Sequence, residues 1–326
     1  MVWSEVEAKA ADRAWEGVAR RIDPHHLSEA RVRLREQGHI SETTASTRGG
    51  RDIAVVHFTD LHRRQRTFAD AAKRKRLLQA RYLGWAIGTP GRPGLFGPGG
   101  ERVLYHSLLD AARYGYRLVR PEGGPIADMF DEGVPVGPLD SAAYLQLVDE
   151  HGFPAGTIVV VIEVKNVRDW IYPRARELHQ LLDKAAQLQL RHRDIRFVPV
   201  LVCRRTHYTT FAMAQDLGFH VLQTYTQFIQ PRHDLNSAHL EEVRQELGYL
   251  DLLVHDTAHT SLTKGLAGSL LTAAPRRAER WSRTASAAGS IFAALRTTTS
   301  TTHRTQLLNE LRSAAKIAGL YEHEGW

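Results

Sequence analysis

Apolar side chains recur along this chain in two rhythms. From residue 101 to about 232, short runs of Val, Ile and Leu alternate with stretches whose apolar residues return at helical spacing, the marks of buried strands and amphipathic helices. ERVLYHSLLDAARYGY predicts a helix with Val103, Leu104, Leu108 and Ala111 or Ala112 on one side. The Gly- and Pro-rich PEGGPIADMFDEGVPVGPL reads as a loop. SAAYLQLVDE predicts a strand, HGFPAG a turn and TIVVVIEVKN (157–166) a second strand. ARELHQLLDKAAQLQLRH predicts a strongly amphipathic helix and RFVPVLVCRR a buried strand, with TTFAMAQDLG a helix ending at Gly218 and FHVLQTYTQF a last strand. The order αββαβαβ gives an α/β core with a mixed sheet.

The flanks follow a different pattern. Residues 1–90 are mostly helical in periodicity. HHLSEARVRLREQGHI (25–40) predicts an amphipathic helix with Leu27, Ala30, Val32 and Leu34 inward and Gly38 at its end. SETTASTRGG and RDIAVVHFTD follow as two strand-compatible runs around Gly49 and Gly50. Helix plus Gly-tipped hairpin is the layout of a winged helix, with Arg48 and Arg51 beside the tip; a helical cap on the next domain is the other reading. GTPGRPGLFGPGG (88–100) holds six glycines and three prolines and reads as a linker at 91–100. Residues 233–326 are helical with a Ser/Thr/Ala-rich middle, an extension that packs on the core or an oligomerisation surface. The expected organisation is therefore 1–90, a linker at 91–100, an α/β domain at 101–232 and a helical extension at 233–326.

Composition narrows the class. The chain has 326 residues, 43 Lys+Arg against 36 Asp+Glu and a formal net charge of +7, which leans towards a polyanionic partner. Its single cysteine, Cys203, excludes an intrachain disulfide and a Cys-based zinc cluster and lies in an apolar run, as a core residue would. The start carries charges throughout with no apolar signal core, and no apolar run is long enough to span a bilayer. A cytoplasmic protein with no membrane partner is expected. The 17 histidines are scattered without zinc-like partners, and GLFGPGG lacks the Lys-Ser/Thr of a P-loop. One basic stretch stands out: LHRRQRTFADAAKRKRLLQARY (61–82) holds eight Lys/Arg against Asp70 alone, with Phe68, Ala71 or Ala72, Leu78 and Tyr82 as its inward stripe. A solvated helix face is the ordinary reading. The one-signed excess is also what phosphate contact needs.

Chemistry enters at TIVVVIEVKN. Side chains alternate across a strand, so Glu163 and Lys165 share a face at the end of an otherwise apolar run. Charges there are paired, hydrated or functional, because an unpaired charge in low dielectric is costly. Upstream, Asp140 precedes the SAAYLQLVDE strand, and Asp128 in GPIADMF is the alternative. A helix opening with Glu101, an Asp ahead of one strand, Glu-x-Lys ending the next, and a helix carrying Gln180 and Lys184 together resemble the PD-(D/E)xK nuclease superfamily, in particular its Holliday junction resolvase and Mrr-type restriction endonuclease branches. The resemblance covers 101 to about 228. Pro138 stands two residues before Asp140, a departure from the family's Pro-Asp dipeptide.

That resemblance implies a restriction-endonuclease-like core and a Mg²⁺-dependent DNA endonuclease, with Mn²⁺ able to substitute. Asp140 and Glu163 would be metal ligands with the backbone of Val164, Glu101 an additional acidic ligand, Lys165 the catalytic lysine and Gln180 a catalytic polar residue. Mg²⁺ takes a few carboxylates plus water and phosphate oxygens, which suits this set. Candidate DNA contacts are Arg48, Arg51, Arg63, Arg64, Lys73, Arg74, Lys75, Arg76, Lys184, Arg204 and Arg205. A role in restriction or defence against foreign DNA follows by fold-level analogy, and nucleases that cut both strands often work as homodimers. The competing readings are a DNA-binding protein that keeps the fold without cutting, and an α/β scaffold that meets protein through its helical tail.

Overall fold

In a computed structural model of the chain, residues 1–12, 21–46, 52–59, 66–89, 91–324 and 326 are described. They divide into two compact units, residues 1–96 with 231–253 and residues 97–230 with 254–326.

The first unit contains helix α1 (Pro24–Glu36), strands β1 (Ile40–Ser46) and β2 (Asp52–Phe58) and helix α2 (Arg66–Ile87). Pro24 opens α1 at a position where its missing N–H is harmless, and the Asp23 carboxylate accepts from His25 N at 2.7 Å. The chain leaves α1 through Gly38 at φ 75°, a conformation glycine adopts freely. β1 and β2 then pair antiparallel, with Ile40 opposite Phe58 and Ser46 opposite Asp52. The Arg31 guanidinium ties helix to hairpin through both Glu42 oxygens, at 2.7 and 2.6 Å. So the helix and hairpin form as expected, but the inward stripes differ. Val32, Leu34 and Phe68 are exposed, while α2 buries Leu78, Gln79 and Tyr82. Here α1 is fastened mainly by its charged edge rather than by an apolar face.

The second unit is built on helix α3 (Phe96–Asp110), strands β3 (Tyr116–Leu118), β4 (Ser141–Val148) and β5 (Pro154–Lys165), helix α4 (Arg176–Arg191), strand β6 (Phe197–Cys203), helix α5 (Tyr208–Leu217) and strand β7 (His220–Gln223). Helix α6 (Ser237–Leu247) belongs to the first unit, and α7 (Leu271–Thr297) and α8 (Thr301–Ile317) complete the second. The five strands form one mixed sheet in the order β7-β6-β5-β4-β3. β3, β4 and β5 run antiparallel to one another, and β5, β6 and β7 run parallel.

Both faces of this sheet are covered, which explains the near-continuous apolar run of β5. Val159 and Val161 face Leu178, Leu181 and Leu182 of α4, with Trp281 and Phe292 of α7 and Leu307 and Leu311 of α8 in the same cluster. Ile158, Val160 and Ile162 face Val103, Leu104 and Leu108 of α3. Each such side chain, fully buried, contributes about 1.5–3 kcal/mol. Cys203 is in the core, its thiol pushed up to about 12 by burial.

Four expectations change. Residues 116–118 form a strand, hidden from sequence because three residues after Gly115 show no period. FHVLQTYTQF does not continue as one strand: His220–Gln223 and Gln227–Ile229 are separated by a turn at Tyr225, φ 56°. The division between the units falls after Phe96, within the 91–100 stretch expected as a linker, but that stretch is built of regular structure. Arg92 pairs with Thr89, and Phe96 to Gly100 form the first turn of α3. Finally, 231–253 joins the first unit, while 254–326 folds as part of the second.

Candidate active site

The functional candidates converge at the carboxyl end of β5. Glu163 and Lys165 project to the same side, and Lys165 Nζ donates to Glu163 Oε2 at 3.1 Å. The Glu163 side chain is almost wholly enclosed, with 2% exposure. Its other oxygen, Oε1, accepts from Lys184 Nζ of α4. Lys184 also donates to the carbonyl of Pro138, two residues before Asp140. Asp140 stands at the threshold of β4, and its Oδ2 accepts from Val164 N at 2.7 Å, prolonging by one side chain the ladder that pairs Ser141 with Ile162. A strand residue's N–H and C=O project to the same edge, so the Val164 carbonyl faces the Asp140 flank.

Glycine lets α3 reach this point. A Cβ on Gly100 would lie 2.9 Å from Val164 Cγ1 and from Asn166 Cβ, and one on Gly99 would lie 2.8 Å from Gln230 N. Only residues without side chains allow the first turn of α3 to lie on the end of β5, and Glu101 follows directly. The loop opposite is fixed by Asn166, whose amide donates to Phe228 O at 2.6 Å and accepts from Phe228 N at 3.0 Å. A cleft of about 190 Å³ results, lined by Glu101, Arg102, Tyr105, Arg120, Glu122 and Asp140 among others.

Electrostatics single out two of the acids lining the cleft, Asp140 and Glu101. Asp140 is raised to about 7, first by burial and then by Glu163, while the Val164 N–H and Lys165 oppose. Glu101, accessible at the cleft mouth yet flanked by its walls, is raised by desolvation and by Glu163, with Lys165 opposing. Three carboxylates thus crowd two ammonium groups, and like charges at close range disfavour full ionisation.

The remaining candidates are placed otherwise. Asp128 is exposed in a two-residue ladder with Gly133, and it is not among the charges acting on Asp140. Gln180 is half-buried one turn before Lys184 and, among the described residues, makes no hydrogen bond to the three carboxylates. Lys184 itself is buried in the acidic cluster, its ammonium taken by Glu163 and Pro138 O and not presented as a DNA contact, while on the neighbouring position Asp183 meets Arg296 of α7 at 3.1 Å. Arg204 and Arg205 are also buried. Arg204 donates to Arg168 O, and the Arg205 guanidinium lies 5.1 Å from the Tyr225 ring and 5.7 Å from the Trp170 ring. In α2, Lys75 points inward to Glu5 at 2.8 Å and Arg74 pairs with Glu246 at 3.0 Å, which leaves Lys73 and Arg76 as outward cations. Arg48, Arg51, Arg63 and Arg64 lie outside the described residues.

Sequence reading missed Arg102, Tyr105 and Arg120, which line the cleft. Arg102 was legible as the neighbour of Glu101, whereas Arg120 enters only because β3 exists. It also missed a second gathering of ligand-type side chains, in which Asp216, Glu322 and His323 offer atoms within 4.8 Å of one another. There the fully buried Asp216 accepts from His323 Nδ1 at 2.6 Å and from the Trp326 indole at 2.7 Å, and Glu322 meets Arg280 at 2.7 Å. Cations of the protein already balance that group, which fastens His323 and Trp326 to α5.

No family model, curated protein or solved structure matches this chain. Among the described residues no helix is long and apolar enough to cross a membrane.

Proposed function

We propose that the second unit is a metal-dependent DNA endonuclease of the PD-(D/E)xK kind. The reading rests on one observation above all: Asp140, ahead of β4, is hydrogen-bonded to the residue between Glu163 and Lys165 at the end of β5. The mixed sheet with helices on both faces supports it, as does Glu101, which stands just past the first turn of α3 and not at the helix start expected from sequence. The donor set is all carboxylate and carbonyl oxygen, which suits Mg²⁺ or Mn²⁺ rather than zinc. Asp140, Glu163 and the Val164 carbonyl would hold the ion, with Glu101 at its side. When bound, it would supply Lewis-acid stabilisation of a phosphoryl oxygen and a water made acidic.

The chain's own residues do the rest. Lys165, anchored on Glu163, holds an ammonium at the strand end where charge develops on a phosphate under attack. Arg102, accessible at the cleft wall, meets the DNA backbone. Asp140, raised to about 7 first by burial and then by Glu163, and Glu101, raised first by burial, can hold or release a proton there.

The non-cleaving alternative has one observation in its favour. Both Glu163 oxygens are already taken by lysines, as they are in a purely structural ion-pair group. Supercoiled plasmid incubated with wild type, Glu163→Ala and Lys165→Ala in Mg²⁺, Mn²⁺ and EDTA decides between them. Metal-dependent nicking lost in both variants, with gel-shift binding retained, is the expected result. Binding without cleavage on plain, modified and branched DNA would leave a binding module.

A further inference from the structure

We infer that Lys184 is a built-in second cation of the carboxylate site, fixing its capacity at a single divalent ion and governing how tightly that ion is held. The inference rests on the metal-dependent reading above and extends it to stoichiometry.

Glu163 and Lys184 are each nearly inaccessible, at 2% and 8% exposure. The two Glu163 oxygens are divided between two ammonium groups, Oε2 to Lys165 on the same strand and Oε1 to Lys184 on α4. Lys184 therefore holds a fixed positive charge against the Glu163 oxygen that Lys165 does not contact, where it competes with any further cation for that carboxylate. Its other bond, to Pro138 O, ties the segment that carries Asp140 to the strand that carries Glu163. The ammonium is thus held from two sides.

Charge balance points the same way. With Glu101, Asp140 and Glu163 ionised against Lys165 and Lys184, the cluster keeps a surplus of one negative charge. One divalent ion reverses that surplus, and the single negative charge of a phosphodiester then closes the balance. A second ion would leave an excess of positive charge in a partly enclosed cleft, where such an excess is costly. Of the other charged side chains lining that cleft, Glu122 is bound to Arg120 at 2.9 Å, and Arg102 only adds to the positive side. Truncating Lys184 to a neutral side chain of similar length removes this counter-cation and leaves an anionic pocket.

The test is a Mn²⁺ titration of the full chain, followed by electron paramagnetic resonance and calorimetry without DNA. Wild type, Lys184→Met, Lys184→Gln, Lys184→Arg and Glu163→Gln are compared. Lys184→Gln keeps hydrogen-bonding capacity towards Pro138 and Glu163, and so serves if the Met variant fails to fold. Wild type and Lys184→Arg are expected to take one Mn²⁺ per chain. The two neutral variants should bind it at least tenfold more tightly or take a second. Two ions in wild type, or neutral variants with unchanged or weaker affinity and one ion, would overturn the assignment of Lys184. If those results come with Mn²⁺ binding that Glu163→Gln abolishes, the metal reading survives and only this inference fails. If wild type holds no Mn²⁺ at all, both fail.

Discussion

The two units each bury a glutamate between two lysines, with opposite consequences. In the first unit Glu5, 1% exposed, receives Lys9 at 2.9 Å and Lys75 at 2.8 Å. The carboxylate beside it, Glu246, is matched by Arg74 at 3.0 Å and lies 3.8 Å from Lys75. In the second unit Glu163 receives Lys165 and Lys184, but Asp140 and Glu101 crowd the same spot, and both are raised, first by burial and further by Glu163. The first group is closed, with each charge answered from within the unit. The second holds more negative charge than its lysines neutralise. A buried ion pair by itself is therefore no sign of chemistry. A buried surplus of one sign, beside a cleft, is.

Exchanging the treatment of the two glutamates breaks the comparison most sharply. Glu163→Ala is expected to lower Mg²⁺-dependent cleavage by about 10³-fold or more, the scale of removing a central transition-state contact. Thermal stability should fall as well, because Lys184 is left buried without its partner, offset in part by the repulsion relieved on Asp140. Glu5→Ala is expected to leave cleavage within twofold and to cost about 2 kcal/mol of stability. That lies below the ~3–5 kcal/mol of a fully buried pair, since Lys9 and Lys75 retain some access to water. Plasmid assays and urea unfolding of both variants measure the contrast. Equal effects on cleavage would erase the distinction drawn between the groups.

The pH dependence follows from the same surplus. Asp140 has a folded-state pKa raised from 3.8 to about 7. Below about pH 4 it is protonated in folded and unfolded chains alike, and its contribution is fully present. As pH rises towards 7 the unfolded chain releases the proton first, and that stability is lost. Asp140→Asn should therefore unfold at higher urea than wild type at pH 8, by about 1–3 kcal/mol, with little difference at pH 4. Added Mg²⁺ should narrow the gap at pH 8, by binding wild type and not the variant. A wild-type advantage at pH 8 without metal would show that the Val164 hydrogen bond outweighs the repulsion.

Gly100 offers a milder disturbance of the same site. Gly100→Ala places a methyl group 2.9 Å from Val164 Cγ1 and Asn166 Cβ, an overpacking that costs about 1–3 kcal/mol. It should also weaken Mn²⁺ binding severalfold, because Glu101 moves with the first turn of α3. Unchanged Mn²⁺ affinity would remove Glu101 from the ligand set.

The contrast also explains what could be read from sequence. Strand β5, helix α4 and strand β6 were legible because long apolar periods leave few alternatives, and the pleat alone puts Glu163 and Lys165 on one face. The resemblance pointed to Asp140 before its bond to Val164 could be seen. What escaped depends on partners distant in sequence. Lys184 occupies a position that reads as a solvated helix face until Glu163 of β5 and the carbonyl of Pro138 take its ammonium. Glycines 99 and 100 read as linker because composition does not distinguish a flexible glycine from one required for close approach. The KRKR run read as a one-signed surface because Glu5, Glu242 and Glu246, which pair with α2, lie far from it in sequence.

That last misreading yields the smallest expected effect. Of Lys73, Arg74, Lys75 and Arg76, structure turns Lys75 to Glu5 and Arg74 to Glu246. If the first unit meets the DNA backbone through this run, Lys73 and Arg76 are the two of the four placed to release counterions. Lys73→Ala and Arg76→Ala should each reduce the slope of log affinity against log salt by about 0.9 per contact, with folding stability within about 0.5 kcal/mol of wild type. Arg74→Ala, removing a half-exposed pair, should cost about 0.5 kcal/mol or less and leave the slope unchanged. Gel shifts at several salt concentrations separate these outcomes. A flattened slope in Arg74→Ala would mean that Glu246 releases the arginine to DNA, and that the closed group of the first unit opens when nucleic acid arrives.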